Sequence, residues 1–212
     1  MILTHPHPDH LQGLKYVAAN FEVGEFWEGK SLIGSHDYDD LHRILWQRQI
    51  PVRKITASTP AVSIGSARIE PLAPFNSPLQ DYRAEDDLNN DSIVFRLVNG
   101  AFSMLFTGDI GTDTEEYLAA RPELLKCTVL KVPHHGSRYS SSNAFLAAAA
   151  PEAALISAGF RNSFHLPAGE TLDKLRRRQI RVYRTDLDGT ITIHCDGDGR
   201  NITFEPIMGH FH

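Results

Sequence analysis

Thr4-His5-Pro6-His7-Pro8-Asp9-His10 follows a three-residue apolar stub. Three imidazoles and one carboxylate fall within six residues. Pro6 and Pro8 disfavour helix and hold His5 and His7 in extended backbone. Side chains two apart on an extended chain point the same way, so both imidazoles can reach one metal ion. Asp9 and His10 then open a helix, which directs them differently and towards a second ion. Imidazole and carboxylate without thiolate suit Zn²⁺, Mn²⁺ or Fe²⁺. The plainer reading, with Asp9 as a helix N-cap and idle histidines, accounts for one such group but not for four at this spacing.

The rest of the composition narrows the class. The chain has 212 residues, 42% hydrophobic and 22% charged, as in a folded globular protein rather than a disordered or fibrous one. A net charge of −5 leaves room only for a local basic patch. The two cysteines, Cys127 and Cys195, are too few and too far apart for a disulfide framework or a cysteine zinc knuckle. Cys127 reads as a small buried residue. No apolar run reaches the ~20 residues of a membrane span, and no secretory signal is visible. Cytoplasm is the default expectation. The oligomeric state is not encoded in any feature of the chain.

Strands and helices alternate, as in a layered α/β domain. Strands are expected at Met1 to Leu3, Phe21 to Trp27, Val52 to Ile55, Ala61 to Ile64 and Ala67 to Leu72. Helices are expected at Asp9 to Ala19 and Tyr38 to Gln49. Pro74 to Asn90 reads as a long functional loop, with a solvated acidic run at Glu85 to Asp87. Ser92 to Val98 and Phe102 to Phe106 flank Asn99-Gly100 as a hairpin. Helices follow at Thr112 to Ala120, Ser140 to Ala149 and Gly169 to Arg178, with strands at Thr128 to Val132 and Ala153 to Ser157. Arg181 to Arg184 and Thr190 to His194 read as strands joined by a turn at Asp188-Gly189. Residues 1–207 are expected to form a single domain, and 208–212 a loose tail.

Two further motifs sit just past strand ends, where α/β sheets place their sites. Phe106-Thr107-Gly108-Asp109 ends in a carboxylate able to bridge two cations; alone it reads as an ordinary Gly-Asp turn. Val132-Pro133-His134-His135-Gly136-Ser137 offers a pair of imidazoles, at least one of them a metal ligand beside the first cluster. Ser137 can donate to substrate or act as a cap or turn residue. Arg138 and Lys131 flank this pair. Arg176-Arg177-Arg178 with Arg181 and Arg184 reads as a phosphate-binding patch or as a solvated helix face.

His5-x-His7-x-Asp9-His10, Gly108-Asp109 and His134-His135-Gly136-Ser137 together resemble the metallo-β-lactamase superfamily of hydrolases. Asn89-Asn90-Asp91-Ser92, Leu105 to Asp109, Leu130 to Ser137 and Tyr183-Arg184-Thr185-Asp186 resemble one bacterial branch more closely. That branch is the C-terminal domain of the DNA-uptake competence protein ComEC and its free-standing relatives. The resemblance covers nearly the whole chain. It implies an αββα sandwich of two mixed sheets flanked by helices, N-terminally truncated by about fifty residues relative to the family. It implies one or two divalent metal ions, with Zn or Mn foremost. His5 and His7 would bind the first. Asp9, His10 and one of His134 or His135 would bind the second, and Asp109 would bridge; the family pattern favours His135, which directly precedes Gly. Asn90 or Asp91 stands where many members carry another histidine, since His36 and His42 fall too early.

Such a pair of cations can hold a hydroxide that attacks phosphorus or a carbonyl carbon. Asp9 can orient it, and His165 or the unliganded member of the His pair can protonate the leaving group. Asn90, Asp91, Ser137 and Arg138 are candidates for substrate contact. The reading is a metal-dependent hydrolase of a phosphodiester, with DNA as partner and a membrane-protein context if the domain belongs to a ComEC-like protein. Hydrolysis of a lactam, lactone or thioester, a non-catalytic metal-binding or interaction domain, and a di-iron redox site are the competing expectations.

Overall fold

Ile2–Leu3 (β1), Phe26–Glu28 (β2) and Val52–Lys54 (β3) form a three-stranded sheet in which both pairings are parallel. Parallel neighbours require crossovers. These are Pro8–Asn20 (α1) between β1 and β2 and His36–Gln47 (α2) between β2 and β3. Pro8 occupies the first turn of α1, where its missing N–H costs nothing, and Asp9 beside it complements the helix dipole. His7, not Asp9, is the N-cap residue, and it makes no side-chain cap. Ser35 caps α2 by accepting from the Tyr38 N–H. Leu11 and Ala18 of α1 pack with Tyr38, Leu41 and Leu45 of α2 over Leu3, Phe26 and Ile50. Each such large aliphatic or aromatic side chain contributes about 1.5–3 kcal/mol on burial.

The structure, a computed structural model, describes residues 1–29, 35–75 and 85–207, and of 85–87 the backbone alone. The centre of the expected loop Pro74 to Asn90, the side chains of Glu85 to Asp87 and the expected tail 208–212 lie outside the described residues. The described end of that loop, Glu85–Asp91, is a short 3-10 segment. The chain divides into two compact units, Met1–Thr59 with Pro71–Val94 and Pro60–Glu70 with Phe95–His212.

A seven-stranded sheet dominates the second unit. Its strands are Val62–Ile64 (β4), Ala67–Ala73 (β5), Val94–Asn99 (β6), Phe102–Phe106 (β7), Val129–Lys131 (β8), Ala153–Ile156 (β9) and Arg181–Arg184 (β10). The order is β10-β9-β8-β7-β6-β5-β4. β6 and β7 form the hairpin read from Asn99-Gly100, with Asn99 opposite Phe102 and Gly100 at φ +58°. β7, β8, β9 and β10 all run parallel. Helices Thr112–Ala119 (α3), Pro122–Leu125 (α4), Asn143–Ala149 (α5) and Gly169–Arg177 (α6) make the crossovers. The fold is therefore mixed α/β with sheets flanked by helices. The smaller sheet is wholly parallel rather than mixed.

Two expectations are corrected. Phe21 to Glu25 is not strand: Phe21 ends α1 and is exposed, and only Phe26–Glu28 pairs. β10 and the strand Thr190–Cys195 (β11) both form, but they are not joined by the turn at Asp188-Gly189 alone. Thr185–Asp188 (α7) separates them, its start tied by the Arg184 N–H donating to the Asp188 carboxylate at 2.7 Å. β11 pairs instead with Ile202–Ile207 (β12), antiparallel, as a separate ribbon. That ribbon lays Ile193, Ile202 and Phe204 on the face of the large sheet formed by Phe102, Val129 and Ala153. Phe204 stacks on Tyr183 at 4.6 Å between ring centres.

Candidate functional site

The first donor set follows β1 directly. His7 is extended at φ −69°, ψ 149°, as its two flanking prolines require, and α1 begins one residue later. His5 is buried, and its Nε2 lies 3.1 Å from His7 Nδ1. The start of α1 turns the His10 ring back onto His5, at 4.2 Å between ring centres. His10 Nε2 is 3.6 Å from the Asp9 carboxylate, which is 63% exposed. Thr4 Oγ1 lies 3.2 Å from His5 Nδ1 and 3.4 Å from His10 Nδ1, and Ser92 Oγ lies 3.2 Å from His5 Nδ1. The Ile93 N–H donates to the Thr4 carbonyl at 2.9 Å, which brings the Asn90-Asp91-Ser92 end of the 3-10 segment to this motif. Hydroxyls on Nδ1 orient the His5 ring with Nε2 directed towards His7, the arrangement that supporting groups give a metal-binding imidazole.

The second donor set comes from the shared edge of the parallel strands in the larger unit. Asp109 follows β7 and is buried. His134 and His135 follow β8 in a turn where both have left-handed backbone, φ +49° and +53°, with Gly136 next at φ +84°. A Cβ on Gly136 would stand 2.6 Å from Pro167 Cβ, so only glycine fits. Two consecutive non-glycine residues in this region store strain, which such sites hold through surrounding bonds. Here the His134 N–H donates to the Gly108 carbonyl at 3.2 Å, and Thr107 Oγ1 donates to the Lys131 carbonyl at 2.7 Å.

His135 Nδ1 is 2.8 Å from the Ser157 carbonyl, an acceptor, so this nitrogen carries the proton. Nε2 then faces the Asp109 carboxylate at 3.3 Å. In the neutral imidazole both facing atoms are lone-pair donors. The pair is satisfied by a proton, and Asp109 raises the His135 pKa above its ordinary value for that reason. It is equally matched to a divalent cation, the donor chemistry of the family's metal ligands. Lys131 donates to the Val132 carbonyl at 3.1 Å; burial lowers its pKa, and Asp109 opposes that shift.

The remaining candidates separate. His134 lines a cavity of about 360 Å³ with Ser137, Arg138, Tyr139, Phe164 and His165. His165 is exposed on the loop after β9. Ser137 is a turn residue: its Oγ accepts from the Tyr139 N–H at 3.3 Å. Three arginines of the run have partners of their own. Arg176 pairs with Asp173, Arg178 donates to the carbonyls of Asn143 and Lys174, and Arg184 grips Asp186 through two nitrogens. His42 sits on α2 with its Nε2 2.9 Å from buried Glu28. Cys127 is buried, and its thiol pKa is pushed up to about 12. Ser92, Thr4 and the Ser157 carbonyl were not singled out as site groups by the sequence; only the Asn89–Ser92 block hinted at the first.

Residues 1–159 match the family model described as "Metallo-beta-lactamase superfamily". The chain is 28% identical over 193 residues to ComE operon protein 3 of Bacillus subtilis, covering 90% of this chain and 24% of that protein. It is 39% identical over 110 residues to competence protein ComA of Neisseria gonorrhoeae, covering 51% of this chain and 16% of that one. The chain thus spans a quarter or less of these relatives. In fold it is similar to CmlA, a diiron β-hydroxylase from Streptomyces venezuelae, with a TM-score of 0.53 at 16% identity, covering 86% of this chain and 42% of that one.

Proposed function

Because the chain belongs to the metallo-β-lactamase superfamily and is similar to competence proteins, we propose that it is a metal-dependent hydrolase of phosphodiesters of the ComEC-like branch, with DNA as its polymer. We take residues 1–207 as one functional domain that holds one or two divalent ions, Zn or Mn. The family resemblance assigns His5, His7, Asp9, His10, Asp109 and His135 as their ligands. Bound there, divalent cations supply water activation and neutralise charge developing on a phosphoryl oxygen.

The chain's own residues divide the remaining work. Asp9, the more exposed carboxylate, takes and orients the proton of the attacking water. His134 and His165, which both line the cavity, are placed to protonate a leaving oxygen. Arg138 meets phosphate, Ser137 shapes the cavity wall, and Asn90 and Asp91 flank the serine that steadies His5. The single observation that carries the reading is the His135–Asp109 pair, whose proton-bearing nitrogen is engaged on the side away from the carboxylate. The competence relatives supply the DNA context. Membrane association belongs to this reading where the domain is part of a longer, ComEC-like protein; no helix among the described residues is long and apolar enough to cross a membrane.

The test is metal content of protein purified without chelator, with hydrolysis of bis-p-nitrophenyl phosphate in added Mn²⁺ or Zn²⁺. Bound metal and turnover that disappears in Asp9→Ala and Asp109→Ala would support the reading. Metal without phosphodiester turnover, but with cleavage of lactams or thioesters, would replace the substrate. Folded protein that takes up no metal would overturn it.

A further inference from the structure

Two large aromatic side chains that line the His134 cavity stand in solvent: Tyr139 is 75% exposed and Phe164 80% exposed. Large exposed apolar side chains grouped at one cavity mark a binding surface. Their loops are held. Tyr139 follows the Ser137 turn, whose carbonyl accepts from Thr171 Oγ1 at 2.8 Å and from Ser140 Oγ at 3.1 Å. Phe164 lies inside a loop closed by Asn162, which donates to the Gly159 and Leu166 carbonyls and accepts from the Leu166 N–H at 3.0 Å. The same loop is docked on the His-pair turn, where the Ala168 N–H donates to the Gly136 carbonyl at 3.0 Å. The rings are therefore presented, not loose.

Charge beside them selects the occupant. Arg138, which lines the same cavity, is 60% exposed, and its ion pair with Glu170 at 3.7 Å is surface-exposed and weak. Arg161 lies over the Phe160 ring at 5.1 Å on the loop that also carries Phe164. Flat rings for stacking, a guanidinium within reach and two imidazoles in the same lining match a ring-bearing unit with an attached phosphate.

We propose that this cavity is a nucleotide subsite: one base of a single-stranded nucleic acid stacks on Phe164 or Tyr139 while its phosphate meets Arg138. A duplex keeps its bases inside, so the rings select single strands. The inference rests on the phosphodiester reading for the choice of polymer, but its test reads binding alone.

Binding of a short fluorescent oligothymidylate, and of an abasic strand of equal length, is followed by anisotropy in the presence of chelator. Both rings are solvent-exposed, and melting curves check that the variants fold. The base-bearing strand is expected to bind more tightly than the abasic one. At least one of Phe164→Leu and Tyr139→Leu should weaken it about tenfold, with the abasic strand unaffected and Phe164→Trp retaining affinity. Equal binding of the two strands, or unchanged affinity in both leucine variants, would overturn the subsite. Base-dependent binding without any metal-dependent turnover would keep the subsite and sink the hydrolase. Turnover without base dependence would do the reverse.

Discussion

His135 Nε2 stands 3.3 Å from Asp109 Oδ2, while the other nitrogen of the same ring meets the Ser157 carbonyl at 2.8 Å. β7, β8 and β9 lie side by side and parallel, so the residues after each arrive at one edge. The Asp109 carboxylate, the His135 ring and the Ser157 carbonyl are three successive products of that register. The outcome is a ring with a defined tautomer facing a buried carboxylate.

Asp109→Asn should bring the His135 pKa back down towards 6.5, because the carboxylate is the largest cause of its rise. Imidazole proton resonances titrated in metal-free protein would show this. A His135 pKa that stays raised in the variant would contradict the assignment.

Ser92→Ala removes a hydroxyl 3.2 Å from His5 Nδ1 without touching any proposed ligand. Loss of such a supporting group should lower metal affinity roughly 10–100-fold. Competition against a chromophoric chelator measures it, and unchanged affinity would remove Ser92 from the site.

Glu115 is buried on α3 and accepts from the Ser141 N–H at 2.5 Å and the Ser142 N–H at 2.7 Å. Glu115→Ala leaves both donors without this acceptor, at about 1–3 kcal/mol each, read as a lower urea midpoint. Desolvation outweighs those bonds and raises the carboxyl pKa above 4.5. The folded state therefore holds the proton more tightly than the unfolded one. That contribution is fully present below pH 4.5 and is lost as pH rises through the higher folded value. Glu115→Gln should flatten this part of the pH–stability curve, and an unaltered curve would refute the shift.

Cys127 and Cys195 should differ in reactivity. Burial and a thiol pKa of about 12 leave Cys127 almost no thiolate at neutral pH, whereas Cys195 is partly exposed. An aromatic disulfide reagent should modify Cys195 in native protein and Cys127 only after unfolding. Mass mapping of early adducts would decide it.

Gly136→Ala forces a side chain at φ +84° and 2.6 Å from Pro167 Cβ. The backbone strain costs about 1–3 kcal/mol before the overlap is added. Melting temperature should fall, and the His135 titration should broaden or shift as the turn relaxes.

Much of the fold was legible because its signals are local. Pro6 and Pro8 dictate the extended His5 to His7 and the start of α1; Asn99-Gly100 dictates the β6–β7 turn. The misread elements depend on partners distant in sequence. Phe21 to Phe26 has strand composition, yet only Phe26–Glu28 finds neighbours on both sides. β12 carries Pro206, which argues against a strand until β11 is seen beside it on a two-stranded ribbon. The arginine run reads from sequence as a phosphate patch or a solvated helix face, and adjacency in sequence cannot choose between them. Arg176, Arg178 and Arg184 take separate carboxylate and carbonyl partners.

The sequence by itself determined the family, the donor types and the local backbone of each motif, since prolines, glycines and hydrophobic periods act over a few residues. Tertiary structure alone decided which groups support those donors. Ser92 reaches His5 across 87 positions and the Ser157 carbonyl reaches His135 across 22, so no short-range pattern could announce either. Tyr139 and Phe164 likewise became neighbours of one cavity only when parallel strands delivered their loops to a single edge. Side-chain chemistry is written in the chain, but its orientation belongs to the register of strands, which is settled by burying apolar surface between segments far apart in sequence.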